Sequence, residues 1–346
     1  MLRNRRILEL LILVALFAGT PAGAAVRPQS QEAPKAAPRT AASRIVTDEM
    51  GGRITVPAEV RRIVSLAPSI TEMIYALKLD DRLVGDTTYC DVPEAAKTKP
   101  HVGSVLDPNF EAIVALHPDV VLAVAYGGNR KETVDALQKL GVPVYVIDPR
   151  TALQILDSMS HIAKLADDEA EGNEVISHLK SRLDALQARL ADLPLVHVLF
   201  VVQLNPLITI GQNTFIADAM RWAGAESIVI AKQDWPKLSL EEVVRLQPDY
   251  IVLATSEMGA GAQTLQDLRS RAVWKDLQAV KAGHVAVISE EIDRPAPGLI
   301  DAVEQLAHQI HGDAFSTSLR NDTDAKARFA TALIPSFSMR CQSCAH

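Results

Sequence analysis

The sequence predicts an α/β protein of two related lobes, and three observations carry that expectation. Short apolar runs alternate with helical segments from about residue 62 to residue 310, the pattern of parallel strands covered on both faces by helices. The segment EAIVALHPDVVLA from Glu111 recurs as EEVVRLQPDYIVLA from Glu241, without a gap over its first twelve positions. Between the two copies, Val175, Leu179, Leu183, Leu186 and Leu190 recur at three- to four-residue spacing, with Lys, Arg, Asp and Gln between them. That spacing predicts one long amphipathic helix over 168–191, with Asp168 and Glu171 as a capping box and Pro194 beyond its end. The expected organisation is a lobe over 44–150, a helical connection over 151–194 and a second lobe over 195–312.

Both ends of the chain read differently. Residues 1–24 join a basic start, an apolar run from Ile7 to Ala18 and the small-residue site Ala22-Gly23-Ala24, which is the pattern of a secretory signal peptide. No Cys follows that site to carry a lipid, so the expected location is the periplasm. Residues 25–43, rich in Ala, Pro, Gln and Ser, read as a flexible linker, and 313–346 as a disordered tail. Within that tail Cys341 and Cys344 form a C-x-x-C close to His346, which an exporting compartment permits as a disulfide. The formal charge is −7. An acidic chain repels phosphate backbones, so nucleic-acid binding is not expected.

Within the first lobe, Ile45-Val46 and Ile54 to Val56 flank Gly51-Gly52 as a hairpin, and Arg62 to Leu66 is a buried-type strand. Ser69 with Glu72 fits a capping box for the helix that follows. Leu83 to Gly85 is a strand, and 86–105 a loop-rich passage. A helix opened by Asn109, a strand over 119–124, a helix from Glu132 and a strand over 144–147 complete the lobe. In the second lobe strands are expected over 197–202, 208–210, 250–254 and 284–288. Helices are expected from Phe215, from Glu241, over 265–280 and over 299–310.

No G-x-G-x-x-G, Walker, G-x-S-x-G or H-E-x-x-H pattern is present, so the usual marks of a nucleotide, hydrolase or zinc-protease site are missing. No catalytic residue and no metal ligand is assigned. Ligands of parallel sheets sit beyond the carboxyl ends of the strands. The candidates there are Ala67-Pro68-Ser69, Thr88 and Tyr89, Tyr126 with Gly127-Gly128-Asn129, Gln203 to Pro206 with Asn205, Trp235-Pro236 and Asp293-Arg294. Aromatic faces in such loops suit a large, flat, partly apolar ligand, or else close the local core. Arg294 meets either a ligand carboxylate or amide, or a neighbouring acid. Glu111 and Glu241 hold one position in the two copies. A carboxylate in a first helical turn favours the helix dipole by about 0.3–1 kcal/mol, and two exposed ones also fit a symmetric docking pair.

RIVSLAPSITEMIYAL, VGDTTYCDVPEAAKTKPHVGS, NFEAIVALHPDVVLA, WPKLSLEEVVRLQPDYIVLA and DRPAPG, in this order from Arg44 to Gly312, resemble the periplasmic substrate-binding proteins of ABC importers for cobalamin, haem and ferric siderophores. The resemblance implies two Rossmann-like α/β lobes with mainly parallel sheets joined by a single long α-helix, the helical-backbone binding-protein fold. It further implies a ligand between the lobes, limited hinge motion, and no enzymatic activity. A Glu on each lobe engages arginines of the membrane permease in that family, and Glu111 and Glu241 match those positions. The permease, with its ATPase subunits in the inner membrane, would be the partner of a monomeric binding protein. TTYCDVP and WPKLS look most like the cobalamin branch, where Tyr89 and Trp235 match pocket aromatics and Tyr126 stands one residue from a third. The expected ligand set is then Tyr89, Tyr126, Trp235, Arg294, Ser69 and Asn205. With only Trp222, Trp235 and Trp274 in the chain, haem is the nearest competing ligand, with Tyr89, Tyr126 or His101 as axial ligands, and a ferric siderophore is another. An enzyme or metal chaperone on the same scaffold is the reading from a different class.

Overall fold

The two copies of the repeated segment fold alike, and their shared details show why the sequence repeats. In a computed structural model, which describes residues 42–126, 128–255 and 265–315, each copy is a short helix, a Pro-Asp pair and an interior strand. His117 and Gln247 end the two helices in the left-handed region, at φ 45° and 44°. Pro118 and Pro248 follow and cannot continue a helix. The next residue ties the helix to the neighbouring strand: Asp119 Oδ2 accepts from the backbone N–H of Arg61 and Arg62 at 2.8 and 2.9 Å, and Asp249 Oδ2 from that of His197 at 3.0 Å.

The chain begins with an antiparallel hairpin of β1 (Ser43–Thr47) and β2 (Arg53–Pro57). Its turn passes through Gly51 at φ 82°, a conformation open to glycine at no steric cost. Then come β3 (Ile63–Ser65), α1 (Pro68–Ala76), β4 (Leu83–Gly85), α2 (Phe110–Ala115), β5 (Val120–Val124), α3 (Lys131–Lys139) and β6 (Val144–Ile147). Their sheet is parallel, in the order β4-β3-β5-β6. All residues of β5 and β6 are buried, as strands covered on both faces must be.

Two helices, α4 (Ala152–Leu165) and α5 (Glu169–Leu190), lead to β7 (Val196–Val201). A small hairpin of β8 (Gln203–Leu204) and β9 (Leu207–Ile208) follows, then α6 (Phe215–Trp222), β10 (Ala225–Ser227), α7 (Leu240–Leu246) and β11 (Tyr250–Ala254). The described chain closes with α8 (Leu265–Ser270), α9 (Gln278–Ala282), β12 (Val285–Ile288) and α10 (Leu299–Ile310). The second sheet is parallel in the order β10-β7-β11-β12. Counted in chain order within each sheet, both read second-first-third-fourth. The fold is therefore two α/β lobes with parallel sheets joined through one long helix, as the sequence predicts.

That helix, α5, has 22 residues and is about 33 Å long at 1.5 Å per residue. It does not stand free. Leu179, Leu183, Leu186 and Leu190 belong to one apolar cluster with Met159 and Ile162 of α4, Ile70 and Met73 of α1, Met220 of α6 and Leu306 of α10. At Gly172 an added Cβ would meet Ala163 Cβ at 2.6 Å, so the missing side chain sets how closely α4 and α5 pack. The expected capping box is not formed: Asp168 makes no side-chain cap bond, and Glu171 pairs with Lys78 at 2.7 Å.

Three further expectations are corrected. Helix α1 starts two residues early, with Pro68 in its first turn and Ala67 at the cap position, so Ser69 lies inside the helix and caps nothing. The span 265–280 is two short helices, broken where Val273 turns into the left-handed region at φ 71° so that Trp274 can be buried. The chain does not lose its packing at residue 313, because Ala314 and Phe315 join the main apolar cluster. The signal peptide, residues 25–41 of the linker, Gly127, and Cys341, Cys344 and His346 of the tail lie outside the described residues. Among the described residues no helix is long and apolar enough to cross a membrane.

Candidate functional site

Side chains from the two halves make contact along a seam beyond the carboxyl ends of β5 and β6. Tyr126, just past β5, lies edge-on to Phe215 at the start of α6, with ring centroids 5.9 Å apart and planes at 88°. Arg150, just past β6, places its guanidinium 3.9 Å over the Tyr126 ring and 4.0 Å from Asp234 of the second lobe. Ala152 at the start of α4 donates its backbone N–H to Asp218 of α6 at 2.7 Å. Further along the seam Arg294 donates to Glu72 of α1 at 3.0 Å. It also lies 3.5 Å from Asp91 and 3.4 Å from Glu290.

Each of these side chains is held by local structure that the sequence dictates. Tyr126 depends on Asn129, which is buried and bonded three ways: Oδ1 accepts from Val124 N–H at 3.0 Å, and Nδ2 donates to the carbonyls of Leu66 and Val105 at 3.2 and 2.9 Å. Only a residue with both amide donor and acceptor can join three loops in this way. Tyr89 is carried on a loop whose underside is Cys90. The Cys90 thiol lies 3.1 Å from Thr71 Oγ1 and 3.2 Å from Thr87 Oγ1, and burial raises its pKa. Asp86 anchors the same loop by accepting from His101 Nδ1 at 2.8 Å, and its burial raises its pKa to about 6. Trp235 sits on a segment bonded against residues 207–212, with Gly211 N–H donating to Asp234 O at 2.9 Å and Thr209 N–H to Pro236 O at 3.1 Å. A Cβ on Gly211 would collide with Gln233 O, so this approach requires glycine.

The seam brings some predicted residues together and leaves others apart. Tyr89 and Trp235 are exposed, at 57% and 43%, and stand on loops of different lobes. Tyr126 is 7% exposed. Its ring is covered by Arg150 and Phe215, its hydroxyl is buried without a partner, and burial lifts its pKa to about 12. Arg294 meets the neighbouring acids Glu72, Asp91 and Glu290. Glu72, opposite it, has its pKa raised to about 7 by burial, against the opposing pull of Arg294. Ser69 is buried within α1. Asn205 is exposed at the tip of the β8–β9 hairpin, where its carbonyl accepts from Gln203 Nε2 at 2.8 Å. His101 is bonded to Asp86 and 36% exposed.

Glu111 and Glu241 are both exposed and both second in their helices. Asn109 caps the first by accepting from Ala112 N–H at 3.0 Å; Ser239 caps the second in a full capping box with Glu242. Sequence reasoning missed Arg150, Phe215 and Asp234. The Pro-Arg-Thr after a buried strand was the available signal for Arg150, since it places a cation at a carboxyl end. Among the described residues no group of His, Cys, Asp and Glu is arranged to hold a metal ion.

A sequence profile of the periplasmic binding protein family matches residues 63–292. The chain belongs to that family. It is 30% identical over 275 residues to the vitamin B12-binding protein of Yersinia pestis (strain Pestoides F), covering 79% of this chain and 93% of that one. Among solved structures, the periplasmic vitamin B12 binding protein BtuF of Vibrio cholerae matches with a TM-score of 0.64 and 26% identity, over 73% of this chain and 97% of that one. A periplasmic heme binding protein from Pseudomonas aeruginosa matches with a TM-score of 0.62 and 22% identity, over 72% and 92%, and so shares the fold.

Proposed function

We propose that this chain is the periplasmic substrate-binding component of an ABC importer, that it captures a corrinoid of the cobalamin type between its lobes, and that it works as a monomer without catalysing a reaction. The observation that carries the reading is that Tyr89 and Trp235 are both exposed, each on a loop of a different lobe, in a chain 30% identical to a vitamin B12-binding protein. Flat aromatic faces flanking a cleft suit a large planar macrocycle. Haem is the second reading, supported by the shared fold with the P. aeruginosa protein and by His101, whose ring is oriented by Asp86; a ferric siderophore is the third. Absorbance titration of the purified protein with cobalamin, haem and a ferric siderophore tests the choice. Saturation by cobalamin at micromolar concentration or below is expected, and its absence removes the leading ligand.

The lobes of this reading span 44–150 and 195–312, with 151–194 as the link. Delivery uses Glu111 and Glu241, which would meet basic sockets on an inner-membrane permease whose ATPase subunits supply the energy. The equivalent placement of the two carboxylates, each exposed at the second position of a capped helix, supports this role. Replacing both by Ala is expected to leave ligand affinity unchanged and to abolish uptake in a reconstituted transporter. Unchanged uptake would end the docking assignment.

A further inference from the structure

We propose that Arg150 is the specificity-determining residue of the seam, and that it receives a peripheral carboxylate or phosphate of the ligand in place of Asp234. The inference rests on the substrate-binding reading above and adds the chemical class of the ligand's recognised group.

Arg150 is fixed everywhere except at its terminal nitrogens. Its backbone N–H donates to Gln154 Oε1 at 2.8 Å, at the start of α4. Its Nε donates to Asp148 Oδ2 at 3.2 Å, and Asp148 is itself held by a backbone N–H bond of 2.8 Å to Glu49 Oε2. Glu49 is anchored in turn by Ser158 and His161, each at 3.0 Å. The guanidinium plane lies 3.9 Å over the Tyr126 ring, and the Tyr126 ring is fixed by Phe215. What remains is the outer edge of the guanidinium. Its sole ionic neighbour there among the described residues is Asp234, and that contact is 4.0 Å, too long for a hydrogen bond.

An arginine with its stem immobilised and its two terminal nitrogens open is pre-organised for one kind of partner. The planar fork matches the two oxygens of a carboxylate or phosphate, and little side-chain entropy is left to lose on binding. The side chain is 41% exposed, so a ligand can reach it, and Asp234, at 36%, can turn toward solvent. Tyr126 serves as the platform beneath Arg150. Trp235 adjoins Asp234 in the chain, so a macrocycle against Trp235 would bring its periphery to this edge.

Two pairs of probes test the proposal: cobalamin against cobinamide, which lacks the nucleotide phosphate, and haem against haem dimethyl ester, which lacks the free propionates. Each pair is titrated into wild type, Arg150→Ala, Arg150→Lys and Asp234→Asn, with thermal melts as a check of folding. In the pair that binds, wild type is expected to prefer the anionic member by roughly 10- to 100-fold, the range of a hydrogen bond to a charged group. Arg150→Ala is expected to bring that ratio to within about threefold and Arg150→Lys to keep part of it, since a point charge replaces the fork. Asp234→Asn is expected to tighten the anionic member selectively. The pair that responds tells a phosphate from a carboxylate. A ratio unchanged in Arg150→Ala, or an equal loss for both members as a mere lobe tie would give, overturns the proposal and leaves the substrate-binding reading standing. Failure of wild type to bind any of the four overturns the proposal together with the cobalamin and haem readings.

Discussion

Glu72 is a residue whose chemistry the fold alters strongly. It is 8% exposed and faces Arg294, with Glu291 and Asp91 near enough to oppose its charge. Burial outweighs the arginine, and the pKa rises from 4.5 to about 7. Between those two values the folded chain holds a proton that the unfolded chain has released, so this group's contribution to stability is full below about 4.5 and is lost as the pH rises toward 7. Glu72→Gln, which keeps the shape of the protonated acid, is therefore expected to gain on wild type between pH 5 and pH 8, by on the order of 1 kcal/mol. Denaturant unfolding of both proteins across that range measures it, and parallel stability curves would contradict the assignment. None of this was legible in the sequence. Glu72 completes a Ser-x-x-Glu spacing that reads as a capping box, and its real partner lies 222 positions away. Arg150 was missed for a similar reason, since its role comes from what stacks under it rather than from any motif. Asn129 appeared only as the end of a loop, because a three-way hydrogen-bond hub has no sequence period.

At the level of elements, local rules carried far and failed where long-range packing overrode them. The repeated helix-Pro-Asp-strand unit was visible because each of its residues acts locally, as a cap, as a stop, or as a carboxylate over the next strand's first N–H groups. Helix α10 matches its expected span of 299–310, since apolar residues at helical spacing leave little ambiguity over twelve positions. Strand β10 has three residues and the β8–β9 hairpin two per strand, too short for any periodicity to register. The break at Val273 is set by the burial of Trp274. The contact between α4 and α5 gives a direct test of element packing. At Gly172 a Cβ would lie 2.6 Å from Ala163 Cβ and 3.4 Å from Leu77 Cδ2, so the helices must separate to admit a side chain. Gly172→Val is expected to destabilise the protein by about 1–3 kcal/mol, measured as a lowered unfolding midpoint. An unchanged midpoint would mean that the helices do not pack this closely.

For the molecule as a whole, the two halves share a strand order and a core. The cluster that contains α5 also takes in Val120 and Leu122 of the first sheet and Val198 and Phe200 of the second, so the link between the sheets is an apolar body rather than a thread. A helix buried along one face in this way resists bending. The central claim is that a flat ligand is gripped at the seam by aromatic residues of both lobes. Absorbance titration with cobalamin, of wild type beside Tyr89→Ala with Trp235→Ala, tests that most directly. Saturable binding by wild type at micromolar concentration or tighter, weakened at least tenfold when both exposed rings are removed, is the predicted result; equal affinity in the two proteins would contradict it.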